Sequence, residues 1–422
     1  MNKRHHFWLF LIYLVFTANG EAGKIPLSLD SAIGIGLQNN PEIKSSAAKI
    51  RASEGGFWSA ISPPPAELSA TNDYVPTGRG LSGWGEQIVG VNQRFEFPTN
   101  YLLRGVKSRR ETEISRQEFA QANLDVMAKI KSSYFRALAL QEQAKIARDN
   151  MEIADRFARK AEIRYSVGEG TNLEKLTAKA QYTQALNAVE INKNHLISAF
   201  ADLSYALGFG KGDKKEFELT DSLRPQALPL SLDSLVDDAV RNNPRLKAEE
   251  LREAAAAKEK QLAWSSLLPD VNLGVFSKKV RGDGQDYYGA SASLSIPLWF
   301  MLDQRGKIKE ASSNLASAKL DRRATENAVF LAINDAFSEF RNAEKQVALH
   351  QKELLPQVEE IYRAALKSYE AGESTYLEFL QAQQTVTSAR SGYVEALLEY
   401  NLSIVSLEEA IGKKLPQKKG AL

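Results

Sequence analysis

The sequence predicts a mainly α fold with a small β part, written twice along the chain. Three observations carry that prediction. A set of short motifs recurs in the same order at a nearly constant spacing; two long stretches run almost free of proline and glycine; and each half holds a pair of short segments that alternate apolar and polar residues.

The duplication comes first because it frames every other element. Leu27-Ser28-Leu29-Asp30-Ser31 returns as Leu230-Ser231-Leu232-Asp233-Ser234, 203 residues on. Asn39-Asn40-Pro41 returns as Asn242-Asn243-Pro244, and Lys44 as Lys247. Trp58-Ser59 and Pro63 match Trp264-Ser265 and Pro269. Tyr165, Gly168-Glu169, Thr171 and Leu173-Glu174 match Tyr369, Gly372-Glu373, Thr375 and Leu377-Glu378. Leu203, Ala206 and Gly208 match Leu407, Ala410 and Gly412. Collinear matches across nearly the whole chain mark an internal duplication, with repeats at 23–208 and 230–412, a linker at 209–229 and a tail at 413–422.

The first 22 residues read as a secretory signal peptide. Lys3, Arg4, His5 and His6 give a positive start, Phe7 to Phe16 is an unbroken apolar run, and Ala18-Asn19-Gly20 and Gly20-Glu21-Ala22 are candidate cleavage triplets. The run is short for a membrane span. With no cysteine in the chain, a lipid-anchored N-terminus, a disulfide framework, a thiolate metal site and a cysteine nucleophile are all excluded. The formal net charge of +2 is unlike the basic excess of a nucleic-acid binder or an acidic disordered tail.

Each repeat then reads as a short helix, a break at Asn-Pro, a second helix, two strands and two long helices. Proline disfavours helical geometry at the residue before it, so Asn40 and Asn243 are expected to break or bend the chain. In the strands Leu68 and Ala70 oppose Glu67, Ser69 and Thr71, while Val89, Val91, Phe95 and Phe97 oppose Gly90, Asn92, Arg94 and Glu96. In the second repeat Val271, Leu273 and Val275 oppose Asn272 and Gly274, and Tyr288, Ala290, Ala292, Leu294 and Ile296 oppose Gly289, Ser291, Ser293 and Ser295. One apolar and one polar face suits a membrane-barrel wall, and also a half-buried strand in a soluble sandwich. Four strands do not close a barrel, which needs about eight, so a barrel reading requires several copies to pool their strands. The segments Val75 to Gly85 and Lys278 to Asp286, rich in Gly and charge, are expected as hairpin loops.

The long helices are expected from about Asn100 to Tyr165 and from about Asp303 to Tyr369, each about 100 Å at 1.5 Å per residue. Pro356, inside the second, is expected to kink or end it. The last helix of each repeat carries a stripe at steps of three and four: Phe379, Ala382, Val386, Ala389, Tyr393, Ala396, Tyr400, Ile404, Leu407 and Ile411, and in the first repeat Ala178, Tyr182, Ala185, Val189, Leu196, Phe200, Leu203 and Leu207. Such stripes mark lateral packing between helices. No run of about 18 apolar residues follows the signal, so no membrane helix is expected, and an inserted chain must use a closed barrel.

Taken together, the two Leu-Ser-Leu-Asp…Asn-Asn-Pro segments, the prolines Pro98 and Pro297 at strand ends, the two Tyr-x-x-Gly-Glu-x-Thr-x-Leu-Glu turns, and the endings Leu207-Gly208 and Ile411-Gly412 resemble the TolC-like outer-membrane factors. The resemblance implies a homotrimer in the outer membrane, with four strands per protomer in a twelve-stranded barrel. A coiled-coil tunnel of long helices would cross the periplasm, with a periplasmic adaptor and an inner-membrane pump of the RND type as partners. Gln93-Arg94-Phe95-Glu96-Phe97-Pro98, Ser295-Ile296-Pro297-Leu298 and Glu353-Leu354-Leu355-Pro356 resemble the CzcC-like heavy-metal branch. The implied role is a passive conduit for small molecules or metal cations, with no cofactor.

By the same resemblance the two turns form the periplasmic tip. Gly168, Glu169, Thr171, Gly372, Glu373 and Thr375 would face the adaptor. Tyr369 and Glu174 fall on gate-closing positions, and Glu378 on a pore-facing acidic ring. Gln381 stands at the second acidic ring position and Ser374 at the basic gate position. On chemistry alone Thr171-x-x-Glu174 and Thr375-x-x-Glu378 are also capping boxes.

No catalytic or metal constellation competes with this. His195 and His350 are solitary on helices, and Gly34-Ile35-Gly36 and Gly208-Phe209-Gly210 lack the strand–turn–helix setting of a nucleotide site. A soluble periplasmic coiled-coil adaptor is the main alternative, which would call for β-domains flanking a single hairpin; a periplasmic hydrolase is a distant third.

Overall fold

The computed structural model describes residues 25–210, 217–225, 228–296 and 302–415. The expected signal peptide, Pro297 at the end of the last strand, parts of the 209–229 linker and most of the tail lie outside them. Each repeat runs through the expected order. The first comprises β1 (Ile25–Leu27), α1 (Leu29–Asn39), α2 (Pro41–Ile61), β2 (Glu67–Asp73), β3 (Glu86–Phe95), α3 (Pro98–Ser166) and α4 (Asn172–Ala206). The stretch expected as a linker holds β4 (Phe217–Leu219), and the second repeat comprises α5 (Leu232–Asn242), α6 (Pro244–Ser265), β5 (Asp270–Val280), β6 (Asp286–Ser295), α7 (Asp303–Leu349), a π-turn (His350–Leu354), α8 (Leu355–Glu370) and α9 (Tyr376–Ile411).

The Asn-Pro breaks have a defined job. Asn40 has ψ 126°, which ends α1, and its side-chain oxygen accepts from the Glu42 N–H at 2.8 Å to start α2. Proline at the first helical position loses no hydrogen bond there, because that N–H has no partner within the helix. The Asn40 amide also donates to the Ala206 carbonyl at 3.2 Å, near the end of α4. Asn243 repeats the device, accepting from Arg245 N–H at 2.9 Å and donating to the Ala410 carbonyl at 3.0 Å. Gly208 and Gly412, at φ +84° and +78°, close α4 and α9 against these asparagines. A Cβ on Gly208 would lie 2.9 Å from Asn40 backbone atoms, and one on Gly412 would lie 2.8 Å from the Asn243 Cα. Two motifs far apart in each repeat are thus the two halves of one joint.

A small parallel ribbon, unforeseen in the sequence, ties the repeats: Ile25, Pro26 and Leu27 pair with Phe217, Glu218 and Leu219. Three-residue strands are too short to show an alternation.

The four longer strands form one antiparallel sheet in the order β2-β3-β5-β6, so the hairpins of the two repeats join through β3 and β5. The register aligns their apolar faces. Leu68 lies opposite Val91, Val91 opposite Val275, and Val275 opposite Ala290, while Phe95 is opposite Val271 and Val271 opposite Leu294. Leu68, Val91, Val275 and Leu294 are all exposed, so this apolar face has no core beneath it. Among the described residues no strand pairs with the outer edges of β2 and β6.

Boundaries differ from expectation at three places. Phe97 lies past the end of β3 and caps α3, which begins at Pro98. Lys278, Lys279 and Val280, expected in a loop, pair with Ile88, Gln87 and Glu86, and Lys278 reaches Glu86 at 2.7 Å. The first hairpin loop holds a short turn at Leu81–Gly83.

The long helices follow the pattern closely. α3 has 69 residues, about 100 Å. Pro356 neither ends nor breaks its helix: the π-turn His350–Leu354 runs directly into α8, with Pro356 in the first turn of α8. A proline ring would crowd the carbonyl four residues back, here Lys352, and the wider turn accommodates it. The turn also explains the changing repeat spacing. Before it, buried Val126 and Ile130 correspond to buried Val329 and Ile333 at 203; after it, Ala154 corresponds to Val358 at 204.

Candidate functional site

Both tips use one backbone design. After α3 the N–H of Glu169 bonds the Arg164 carbonyl at 2.9 Å and Gly168 the Tyr165 carbonyl at 3.1 Å; after α8, Glu373 bonds Ser368 at 2.8 Å and Gly372 bonds Tyr369 at 3.1 Å. Gly168 and Gly372 supply the positive φ that ends each helix. Thr171 Oγ1 then accepts from the Glu174 N–H at 3.1 Å, and Thr375 Oγ1 from the Glu378 N–H at 3.3 Å.

The glutamates part ways from there. Glu378 completes the capping box, its carboxylate accepting from the Thr375 N–H at 3.0 Å. Glu174 does not return to Thr171. Its Oε1 accepts from the Tyr369 hydroxyl at 3.0 Å and lies 3.5 Å from the Arg164 guanidinium. Only one of the two expected capping boxes therefore closes, because a phenol and a guanidinium claim the other carboxylate.

Tyr369 belongs to an aromatic cluster that the sequence showed only in part, through the α9 stripe. Phe379 is fully buried; Phe157 of α3 stacks on it at 4.2 Å, and Tyr369 stacks at 5.7 Å. Tyr376 lies 6.0 Å from Tyr369. Burial, and then the Glu174 hydrogen bond, raises the Tyr369 phenol above its ordinary pKa; burial pushes Tyr376 up to about 12. Both phenols thus stay neutral at physiological pH, and Tyr369 keeps the proton it donates to Glu174.

The other predicted tip residues are spread out. Ser374 Oγ is buried without a hydrogen-bond partner. Gln381, Glu169 and Glu373 are exposed. Arg164 carried no sequence signal beyond its place beside Tyr165. Among the described residues no three His, Cys, Asp or Glu side chains converge as a metal site, and no helix is long and apolar enough to cross a membrane.

A sheet with an uncovered apolar face and two free edges, set on helices of about 100 Å, defines a channel protomer built to complete its wall with other copies. The family described as Outer membrane efflux protein matches residues 97–209 and 235–413, and the chain belongs to that family. It is 21% identical over 399 residues to the cobalt-zinc-cadmium resistance protein CzcC of Cupriavidus metallidurans, covering 92% of this chain and 90% of that protein. To the pyoverdine export outer membrane protein OpmQ of Pseudomonas aeruginosa it is 23% identical over 423 residues, covering 91% and 85%. The crystal structure of the Campylobacter jejuni CmeC outer membrane channel superposes with a TM-score of 0.78 at 17% identity, over 91% of this chain and 85% of that one. The fold is thus that of the TolC-like channels, and the adaptor architecture with a single hairpin is set aside.

Proposed function

We propose that this protein is the outer-membrane channel-tunnel of a tripartite efflux system, acting as a homotrimer with twelve pooled strands and a periplasmic helical tunnel. The carrying observation is the open sheet, whose apolar face and free edges have no partner among the described residues of the protomer. Only closure with identical copies satisfies those edges in lipid. On this reading residues 1–22 direct export and are removed, 23–208 and 230–412 are the two structural repeats, and the tip turns at 168–171 and 372–375 meet a periplasmic adaptor coupled to an RND-type inner-membrane pump. The chain supplies a conduit and no catalysis.

The likeness to CzcC and OpmQ supports a cargo drawn from metal cations or small molecules. The Tyr369–Glu174 contact supports a gate at the tip that closes when α8 is held against α4. In planar bilayers the purified protein is expected to conduct as an outer-membrane trimer. A soluble monomer without conductance would remove the proposal. Glu378→Ala is expected to lower cation selectivity if three carboxylates ring the aperture; unchanged selectivity leaves Glu378 as a helix cap only.

A further inference from the structure

The two Asn-Pro joints are copies, but the grooves beside them are not. At the first joint α3 and α4 line a groove of about 820 Å³. Leu140, Ala199 and Ala206 give it apolar walls, and Tyr205 adds an exposed ring. Its charged groups are Glu42, Lys129, Arg136 and Asp202, with His195 among them. Lys129 reaches both Glu42 oxygens, at 2.9 and 3.0 Å, so those two charges cancel. Arg136, His195 and Asp202 are exposed, and among the described residues their side chains have no ion pair or hydrogen-bond partner.

The second joint opens on a smaller groove of about 490 Å³, lined by Arg245, Asp335, Glu339 and Glu409. Position for position the framework is retained, Asn40 with Asn243 and Ala206 with Ala410. The lining is exchanged: Arg136 answers to Glu339, Leu140 to Ala343 and Tyr205 to Glu409. The joint itself uses an asparagine, a proline and a glycine. Nothing in it calls for a guanidinium, a leucine and a tyrosine along one groove.

The first groove faces the conduit. Stacked end to end at the joints, the long helices form four columns per protomer: α2–α4, α3, α6–α9 and α7–α8. Three copies closed into a ring, with axes about 8–10 Å apart, leave a bore of roughly 20–28 Å. The α1 and α5 helices of all three copies, each about 10 Å across, would fill that bore, so they lie outside the ring. They cover the α3 face that bears Ile130, packed on Gly36 of α1, and Tyr134, whose hydroxyl donates to the Leu27 carbonyl at 2.9 Å. Arg136 is two residues past Tyr134, about 200° around the helix, and therefore on the bore side.

We infer that this groove is a cargo site on the conduit wall, which holds small organic monoanions with an apolar body. The inference rests on the trimeric channel reading above and narrows its cargo class. Arg136 presents a planar fork that takes a carboxylate, sulfonate or phosphate through paired hydrogen bonds. The His195 imidazole donates another in either charge state. Leu140, Ala199 and the Tyr205 ring receive the apolar part, and the volume is that of a small-molecule site. Asp202 opposes a second negative charge, which sets monoanions apart. The carboxylates of the second groove repel the same cargo, so it is held at the first joint of each copy.

Purified trimers in planar bilayers, with potassium chloride on both sides, provide the test. Added to one side, 1-naphthalenesulfonate should block the wild-type current in a concentration-dependent way. Arg136→Gln should raise the half-blocking concentration about tenfold and leave conductance in potassium chloride alone unchanged. The cation 1-naphthylmethylammonium, with the same ring and the opposite charge, should lose no potency in that variant. The chain has no cysteine, so Ser198→Cys places a single thiol in the groove. Naphthalenesulfonate should slow the reaction of that thiol with a water-soluble methanethiosulfonate. A conducting wild type that is not blocked, equal block of wild type and Arg136→Gln, or an unprotected thiol each overturns the anion site and leaves the channel reading standing. Absence of a conducting trimer overturns the channel reading, and the site with it.

Discussion

The Asn-Pro joints and the tip turns are both written twice, yet only the joints remain copies of one another. Asn40 and Asn243 make the same hydrogen bonds, to Ala206 and Ala410 and to the start of the next helix, with the same glycine behind each. At the tips the backbone turns agree and the side chains do not. Tyr369 stacks on buried Phe379, whereas its counterpart Tyr165 is exposed and receives Lys175, the counterpart of Phe379, over its ring at 4.0 Å. Where the repeats must fit their own helices the copies are held identical; where four helices converge, one pair turns inward and the other faces water.

The largest expected effect breaks the joints' symmetry. Glu408 sits just before Gly412 and accepts both from Lys131 and, at 3.0 Å, from the Leu415 N–H. The hydroxyl of its counterpart Ser204 instead donates back to the Phe200 carbonyl at 2.8 Å. Glu408→Ala leaves Lys131 buried without its counter-charge, at a cost of about 3–5 kcal/mol. Chemical unfolding of detergent-solubilised protein at fixed concentration, followed by helical circular dichroism, should show it. Lys131→Met with Glu408→Leu should recover most of the loss.

Next in size, Asn40→Ala and Asn243→Ala each take the side-chain donor from a helix-end carbonyl and uncap a helix, at about 1–3 kcal/mol. Equal shifts in the unfolding midpoint would support one joint used twice. A loss confined to one variant would show that only that joint bears load.

The joints were legible in the sequence because Asn-Pro and Leu-Gly are local signals with a local cause, and the recurring spacing said they belonged together. The alternation in Leu273, Val275, Ala290 and Ala292 likewise exposed the sheet face. The Lys131–Glu408 pair was not legible, since nothing near either residue says that α3 and α9 of different repeats will meet. Nor was the fate of Glu174: Thr171-x-x-Glu174 has the composition of a capping box, and only the fold brings Tyr369 and Arg164 close enough to draw the carboxylate away. Pro356 was visible as a disturbance, while its resolution as a π-turn depended on the repeat spacing on either side of it.

The smallest effect tests the divergent tip. Tyr369→Phe keeps the ring against Phe379 and removes only the hydroxyl, and Glu174 retains Arg164 at 3.5 Å, so the loss is about 0.5–1 kcal/mol. Under the proposed gate this shifts the closed–open balance by roughly two- to fivefold, read as more frequent single-channel openings with unchanged conductance. Alkali should reach the same end in the wild type. The phenol's pKa is raised in the closed tip, so the contact is fully present below the ordinary tyrosine value of about 10 and is lost as pH rises through the raised value. Tyr369→Phe has no proton to lose there, and its openings should stay level over that first alkaline step. The same variant at the exposed position, Tyr165→Phe, should behave as wild type in gating, because among the described residues no carboxylate accepts from that hydroxyl.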